Sequence, residues 1–437
     1  MARISMDEAL DRAGTGVFQW RLLGVFGLVW AADAMQVLAV GFTAASIAAT
    51  FGLSVPQALQ TGTLFFLGML IGAFAFGRIA DRIGRRKVLI LTVAADALFG
   101  ALSIFAPSFP VLLALRFFTG MAVGGTLPVD YAMMAEFLPA KSRGRWLVAL
   151  EGFWAIGTLI VALAAWAASV AGVADAWRYI FAVTALPALI GLVLRLFVPE
   201  SPLYLLRTGR TDEAKTIVNR MMALNGRTPL GPQDEIVSVH SPVSEGLFSP
   251  ALRRRSILIL AIWFLVSVSY YGVFTWMPAK LSGGGFGFVR GYGFLVFVAL
   301  AQIPGYALAA YGVERWGRRP TLVAFSLLSA AGCLLFVAAT SDLLVGTSLL
   351  LMSFALLGTW GALYAYTPEL YPTASRATGM GTAGAIARLG GLVAPSLMTL
   401  VVSEGLGIAI GLFAGFLVAA AIAALAIDAE TRQVSLS

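Results

Sequence analysis

Twelve stretches of this chain run for roughly twenty residues or more with almost no charge, at about 22–49, 61–80, 88–106, 110–135, 146–171, 176–197, 256–279, 291–313, 320–341, 344–368, 379–403 and 405–427. At about 1.5 Å per residue each predicts a helix able to cross a hydrocarbon layer about 30 Å thick. The connections are short and polar except for one, 199–255, which falls after the sixth run. The pattern therefore predicts an all-α membrane protein of twelve transmembrane helices in two six-helix bundles, 1–198 and 256–437, joined by a polar linker. Within that linker the sequence predicts one short amphipathic helix. Thr211 is placed to cap it, Asp212 and Glu213 fill its first turn, Ala214, Ile217, Val218, Met221 and Met222 form an apolar stripe, and Asn225-Gly226 stops it. It reads either as a latch under the bundle or as a linker shortened by local structure.

The two halves also repeat. GRIADRIGRRK, Gly77 to Lys87, returns in weaker form as GVERWGRR, Gly312 to Arg319, displaced by 233 positions. The same displacement carries Asp81 to Glu314, Arg85 to Arg318, Glu136 to Glu369, Arg143 to Arg376 and Trp30 to Trp263. A fixed displacement over most of a half-chain marks two copies of one membrane unit. The recurring carboxylates beside the recurring arginines predict charge-assisted contacts that can form and break as a gate, with Asp81, Arg85, Glu136 and Arg143 in the first copy and Glu314, Arg318, Glu369 and Arg376 in the second. Plain topology charge accounts for the arginines but not for Asp81.

Composition agrees with the pattern: 59% of the residues are hydrophobic and 12% charged, too few to coat a soluble globule of 437 residues. The formal charge of +8 reflects thirty Lys and Arg, of which all but Arg178, Lys280 and Arg290 on the other side and Arg116 and Arg388 within apolar runs gather on one side. That bias places both termini and the linker in the cytoplasm and the chain in the cytoplasmic membrane, without a nucleic-acid partner. One cysteine, Cys333, and one histidine, His240 in the linker, leave no material for an intrachain disulfide, a Cys/His metal cage or a Ser-His-Asp triad, so neither a cofactor nor enzyme chemistry is expected. Residues 1–19 read as a short polar lead-in, and the first run is too long for the apolar core of a signal peptide.

Asp33, Asp96, Arg116, Asp130 and Arg388 interrupt apolar runs, where an unpaired charge costs on the order of 2.5 to 3.5 kcal/mol. Depth along the helices predicts an Asp33–Arg116 pair, either a permanent salt bridge or a carboxylate that releases the arginine on taking a proton. Asp33, Arg116 and Asp130 are thus the proton-coupling candidates. Arg388 stands alone in the second half. It awaits an anionic ligand, for which the planar guanidinium suits a carboxylate, or is bound by backbone carbonyls or a carboxylate of the first half. Tyr270, Tyr271, Gln302, Trp360 and Tyr364 are the side chains that could line a ring-sized pocket around it.

These strings are familiar. The GxxxDRxGRRK loop after the second run, with its weaker twin, resembles the major facilitator superfamily. LRFFTGMAVGGTLPV (Leu115 to Val129), PESPLYL (Pro199 to Leu205) and YAYTPELYPTASRATG (Tyr364 to Gly379) are similar to its organic-ion and aromatic-acid branch. WFLVSVSYYGVFTWMP from Trp263, AQIPGY from Ala301 and ARLGG from Ala387 are similar to the bacterial niacin permease type. The resemblance implies a carrier that alternates access to a site between its halves and takes up its substrate with protons; the leading expectation is a monomer that imports a small aromatic monocarboxylate such as nicotinate. The resemblance also implies that Arg388 contacts the substrate. Two departures concern the acids: this chain has Gln36 where that type has the second Asp of D-A-M-D, and Thr126 where it has the Glu of G-G-E-L-P. Asp130, four residues on and on the same helix face, is placed to substitute. The other readings are an exporter or exchanger of organic cations, which Arg388 would repel, and a membrane sensor that moves no solute.

Overall fold

The computed structural model describes residues 3–139, 142–237, 246–281, 292–371, 373–402 and 405–431. Twelve long helices follow the apolar runs: α1 Val17–Phe51, α2 Gln60–Ile83, α3 Arg85–Ser103, α4 Phe109–Ala135, α5 Arg143–Val170, α6 Ala176–Arg195, α7 Arg253–Leu281, α8 Tyr292–Leu300 continued by Gln302–Arg315, α9 Arg318–Ala338, α10 Asp342–Tyr366, α11 Thr373–Val402 and α12 Leu406–Leu425. Ten of these spans among the described residues are long and apolar enough to cross a membrane; α3 and α11, which carry Asp96 and Arg388, complete the set. The interruption of α8 has a local cause. Pro304 has no N–H to give to the carbonyl of Leu300, four residues back, so the helix resets at Ala301.

Helix α2 lies against α4 through small residues on both faces. A methyl group added at Gly68 or Gly72 would come within 2.1 or 2.0 Å of backbone on α4, and one at Gly120 or Gly124 within 2.0 or 2.1 Å of backbone on α2. Two glycines spaced by four on each helix thus let the backbones touch, the packing that replaces hydrophobic association inside a membrane. At the arginine-rich end of the bundle, Gly84 and Gly317 turn the chain with φ of +103° and +111°, a conformation that favours glycine. The GRR repeat is therefore one turn used twice.

The linker helix spans Thr211–Leu224 and buries Ala214, Val218, Met221 and Met222. Thr211 is its first residue and not its cap; Arg210 precedes it and binds Glu213 with 2.7 and 2.6 Å hydrogen bonds. Asn225 ends the helix and fastens it to the first half. It accepts from Phe18 N at 3.1 Å and donates to Ala13 O and Gln19 Oε1 at 3.1 and 2.9 Å. The first residues are ordered into this assembly, beyond the polar lead-in read from the sequence. Arg3–Ser5 pairs in parallel with Glu235–Val237, and Ser5 caps a helix, Met6–Ala13, that lies on the linker helix. His240 lies outside the described residues.

Candidate functional site

Between the two halves lies a cavity of no more than about 320 Å³ lined by Trp30 of α1, Glu151 and Trp154 of α5, Tyr270 and Tyr271 of α7, Tyr306 of α8, Leu357, Trp360 and Tyr364 of α10, and Arg388 of α11. Helical spacing presents them: Trp360 and Tyr364 are one turn apart, as Glu151 and Trp154 nearly are. The rings form a continuous wall. Tyr270 meets Tyr271 at 5.1 Å and Trp360 at 5.9 Å between ring centres, and Trp263, the repeat partner of Trp30, supports Trp360 and Tyr364 from behind at 5.3 and 4.8 Å. Arg388 is buried and donates from Nη1 to the Tyr271 hydroxyl at 3.2 Å. Trp154 Nε1 donates across the halves to the Tyr270 hydroxyl at 2.7 Å.

Five of the six pocket candidates from the sequence, Arg388, Tyr270, Tyr271, Trp360 and Tyr364, meet here. Gln302 does not line the cavity. It is buried with neither amide atom hydrogen-bonded among the described residues, and Tyr306, one turn further on, takes the place expected for it. Sequence reasoning missed Glu151, Trp154, Trp30, Tyr306 and Leu357. Glu151 is the serious omission, because it is 3% exposed and acts electrostatically on Arg388. Glu151 lies inside the fifth apolar run, 146–171, and is a charge within that run that the sequence reading passed over.

The first half holds a second set of buried charges. The Asp33–Arg116 pair expected from the sequence is not formed. Arg116 instead donates to Gln36 Oε1 at 2.7 Å and to Gln36 O at 2.9 Å, with its guanidinium 4.6 and 4.8 Å from the ring centres of Phe65 and Phe181. The reason is depth: Gln36 lies about one turn nearer the Arg116 end of α4 than Asp33 does. Asp33 is left with neither carboxylate oxygen hydrogen-bonded among the described residues, in the electrostatic field of Asp96, Asp130, Arg195 and Arg388. Asp130 pairs with Arg195, both fully buried. Arg195 reads in the sequence as a loop cation at the end of the sixth run. In the structure its guanidinium lies on the Phe26 ring at 4.1 Å.

At the arginine-rich end the repeat is a repeat of bonds. Arg85 pairs with Glu136, and Arg318 makes two 3.0 Å bonds to Glu369, with Glu314 3.7 Å away. Ser201 donates to Glu136 and Thr431 to Glu369. Burial outweighs these partners at Glu136 and pushes its carboxyl above the usual range. Glu200 and Glu430, which the sequence reading passed over, cap the helices that start after the glycines by accepting from the backbone N–H of Arg86, and of Arg318 and Arg319. Both arginine–glutamate pairs lie within their own half, so they brace helix ends and do not join the halves. Arg143 donates to Leu138 O at 3.2 Å and stands 3.8 Å from Asp7. The side chains of Asp81 and Arg376 lie outside the described residues. Among the described residues, rings also meet across the halves: Phe66 on Tyr271 at 4.7 Å, and Tyr131 on Tyr364 at 5.4 Å on the arginine-rich side of the cavity.

Comparison with known proteins gives the same picture from another direction. The family model described as Major Facilitator Superfamily matches residues 24–395, with a second match over 289–435. The chain is 36% identical over 97% of its length and of its relative's to the niacin transporter NiaP of Acinetobacter baylyi. It is 35% identical to the putative niacin/nicotinamide transporter NiaP of Bacillus subtilis, over 96% of this chain and 98% of that one. Among solved structures it is similar in fold to a partially occluded, inward-open conformation of the xylose transporter XylE from E. coli, with a TM-score of 0.77, 20% identity, and coverage of 96% and 100%.

Proposed function

The chain belongs to the major facilitator superfamily, a membrane transporter and not an enzyme, and from that premise we propose that it imports a small aromatic monocarboxylate of the nicotinate type by proton symport. One observation carries the reading: Arg388, buried at the interface of the halves, faces a cavity walled by aromatic rings and too small for a large solute. The guanidinium supplies two parallel donors for a carboxylate, the rings supply flat apolar walls, and the relatives named for niacin support a ligand of that kind. Access alternates as the two halves rock about the site, with the Phe66–Tyr271 and Tyr131–Tyr364 contacts closing opposite ends. The deciding experiment is uptake of radiolabelled nicotinate into proteoliposomes holding the purified protein. Accumulation against its gradient when the outside is acidified is the expected result. Binding without accumulation would make the protein a sensor, and uptake indifferent to pH would remove the proton.

Proton coupling has support in a charge count. Among the described residues of the bundle core, four carboxyls, Asp33, Asp96, Asp130 and Glu151, face three guanidiniums, Arg116, Arg195 and Arg388. A buried set with one excess acid is stable only when one carboxyl holds a proton, and Asp33, which has no hydrogen-bond partner, is the group that does. Asp33 then serves as the relay between the solvent and the central cavity. Asp33→Asn, which preserves its shape and neutral state, is expected to keep nicotinate binding and substrate exchange but lose pH-driven accumulation. Accumulation retained in that variant would take Asp33 off the proton path.

Orientation follows from the arginine loops: the end bearing Gly84, Gly317 and the linker faces the cytoplasm. A cysteine placed at Arg82 in a Cys333→Ser background should resist a membrane-impermeant reagent in intact cells and react in inverted vesicles. Labelling in intact cells would reverse the topology.

A further inference from the structure

Glu151 shares the central cavity with Arg388, and the two charges are set apart: each influences the other electrostatically, yet among the described residues no direct ion pair joins them. Glu151 Oε1 has no well-aligned hydrogen-bond partner there, the Trp30 indole stands against the Glu151 carboxyl as its nearest donor, and the indole nitrogen of Trp360 is unbonded among the described residues. Among the described residues, Arg388 is the one charged group that faces Glu151; the other titratable groups around it are the neutral hydroxyls of Tyr131 on α4, Tyr270 and Tyr271 on α7, Tyr306 on α8 and Tyr364 on α10. The empty cavity is therefore balanced, one cation against one anion. An incoming carboxylate satisfies Arg388 but leaves the cavity with one negative charge too many, a costly state in a dry site. One proton restores the balance.

We propose that Glu151 holds the co-transported proton in the loaded state and shares it with a basic ring nitrogen of the substrate, so that the site selects heteroaromatic carboxylates with a pyridine-type nitrogen over purely carbocyclic acids. This rests on the anion-uptake reading above. It deepens that reading by dividing recognition between two ends of one ligand, the carboxylate on Arg388 and the ring nitrogen on Glu151. Either the carboxyl O–H donates to the nitrogen or the protonated nitrogen donates to the carboxylate; in both cases one proton satisfies two buried groups that would otherwise be unpaired. A benzoate ring offers Glu151 no acceptor, so the carboxyl stays unsatisfied when that ligand binds. Substrate and proton are then obligatory partners because of charge balance and hydrogen bonding in one cavity, while Asp33 delivers the proton to it.

The test uses the full-length purified protein, with radiolabelled nicotinate and benzoate as probes and proton uptake on binding followed by a pH dye in weak buffer. Wild type is expected to prefer nicotinate by about tenfold or more and to take up about one proton for each nicotinate bound. Glu151→Gln keeps an N–H donor for the ring nitrogen and cannot titrate; it should keep the preference and lose the proton uptake. Glu151→Leu should lose both, the preference shrinking by about tenfold. Proton uptake that persists in Glu151→Gln, or an unchanged preference in Glu151→Leu, overturns the assignment. The nearly isosteric glutamine variant decides the matter alone where the leucine variant does not fold. A wild type that binds both acids equally and takes up no proton overturns this inference only; one that binds neither acid overturns the uptake reading with it.

Discussion

Arg388→Ala is expected to weaken nicotinate binding by roughly tenfold to more than a hundredfold while leaving the protein folded. The guanidinium meets two ring hydroxyls, that of Tyr271 at 3.2 Å and that of Tyr364, and forms no direct ion pair among the described residues, so no paired carboxylate neutralises its charge before the ligand arrives. Loss of a desolvated, charge-assisted bond costs about 1.5 to 3 kcal/mol, which is roughly tenfold to more than a hundredfold in affinity. Arg388→Lys should fall between, because an ammonium offers a point charge where the carboxylate needs two parallel donors. The control is ligand charge. Nicotinamide, the neutral amide of the same ring, should bind wild type weakly and be little affected by Arg388→Ala. If acid and amide lose equal affinity in that variant, Arg388 supports the shape of the cavity and does not read the carboxylate. Size-exclusion chromatography of each variant separates loss of binding from loss of fold.

What the sequence disclosed and what it hid follow from two different length scales. Helix count, the linker and the two-copy plan were legible because they rest on runs of twenty residues and on a displacement of 233 that recurs at Arg85 and Arg318 and at Glu136 and Glu369. The structure adds that these are bonded pairs, made once in each half. Partners inside the membrane were less legible, since they turn on a single helical turn of depth. Asp33 and Gln36 differ by one turn, and that turn gives Arg116 to the amide and leaves the carboxylate without a hydrogen-bond partner among the described residues. The same limit explains Gln302 and Tyr306, of which only the second reaches the cavity. Glu151 and Arg195 share another cause. Both fall inside apolar runs, 146–171 and 176–197, towards a helix end, and only packing against the neighbouring helices reveals that they are buried.

Arg195 carries the largest expected effect on stability. It is the direct ion-pair partner of Asp130, both side chains are fully buried, and Asp33, already unpartnered, lies in the same field. Arg195→Met keeps the bulk over the Phe26 ring but strands the Asp130 carboxylate, and breaking a buried pair in this one-sided way costs about 3 to 5 kcal/mol. The purified variant should therefore unfold at a clearly lower temperature than wild type in the same detergent, and express poorly. Removing both charges is a different matter. In the double variant Asp130→Asn, Arg195→Met no carboxylate is stranded, so most of the loss should be recovered, and a double-mutant cycle over the two sites should show strong favourable coupling. Its effect on transport separates structure from function. If the double variant is stable and still accumulates nicotinate under a pH gradient, the pair is a strut and Asp33 keeps the proton role. A stable double variant without accumulation would place Asp130 on the proton path, in the role left open by Thr126.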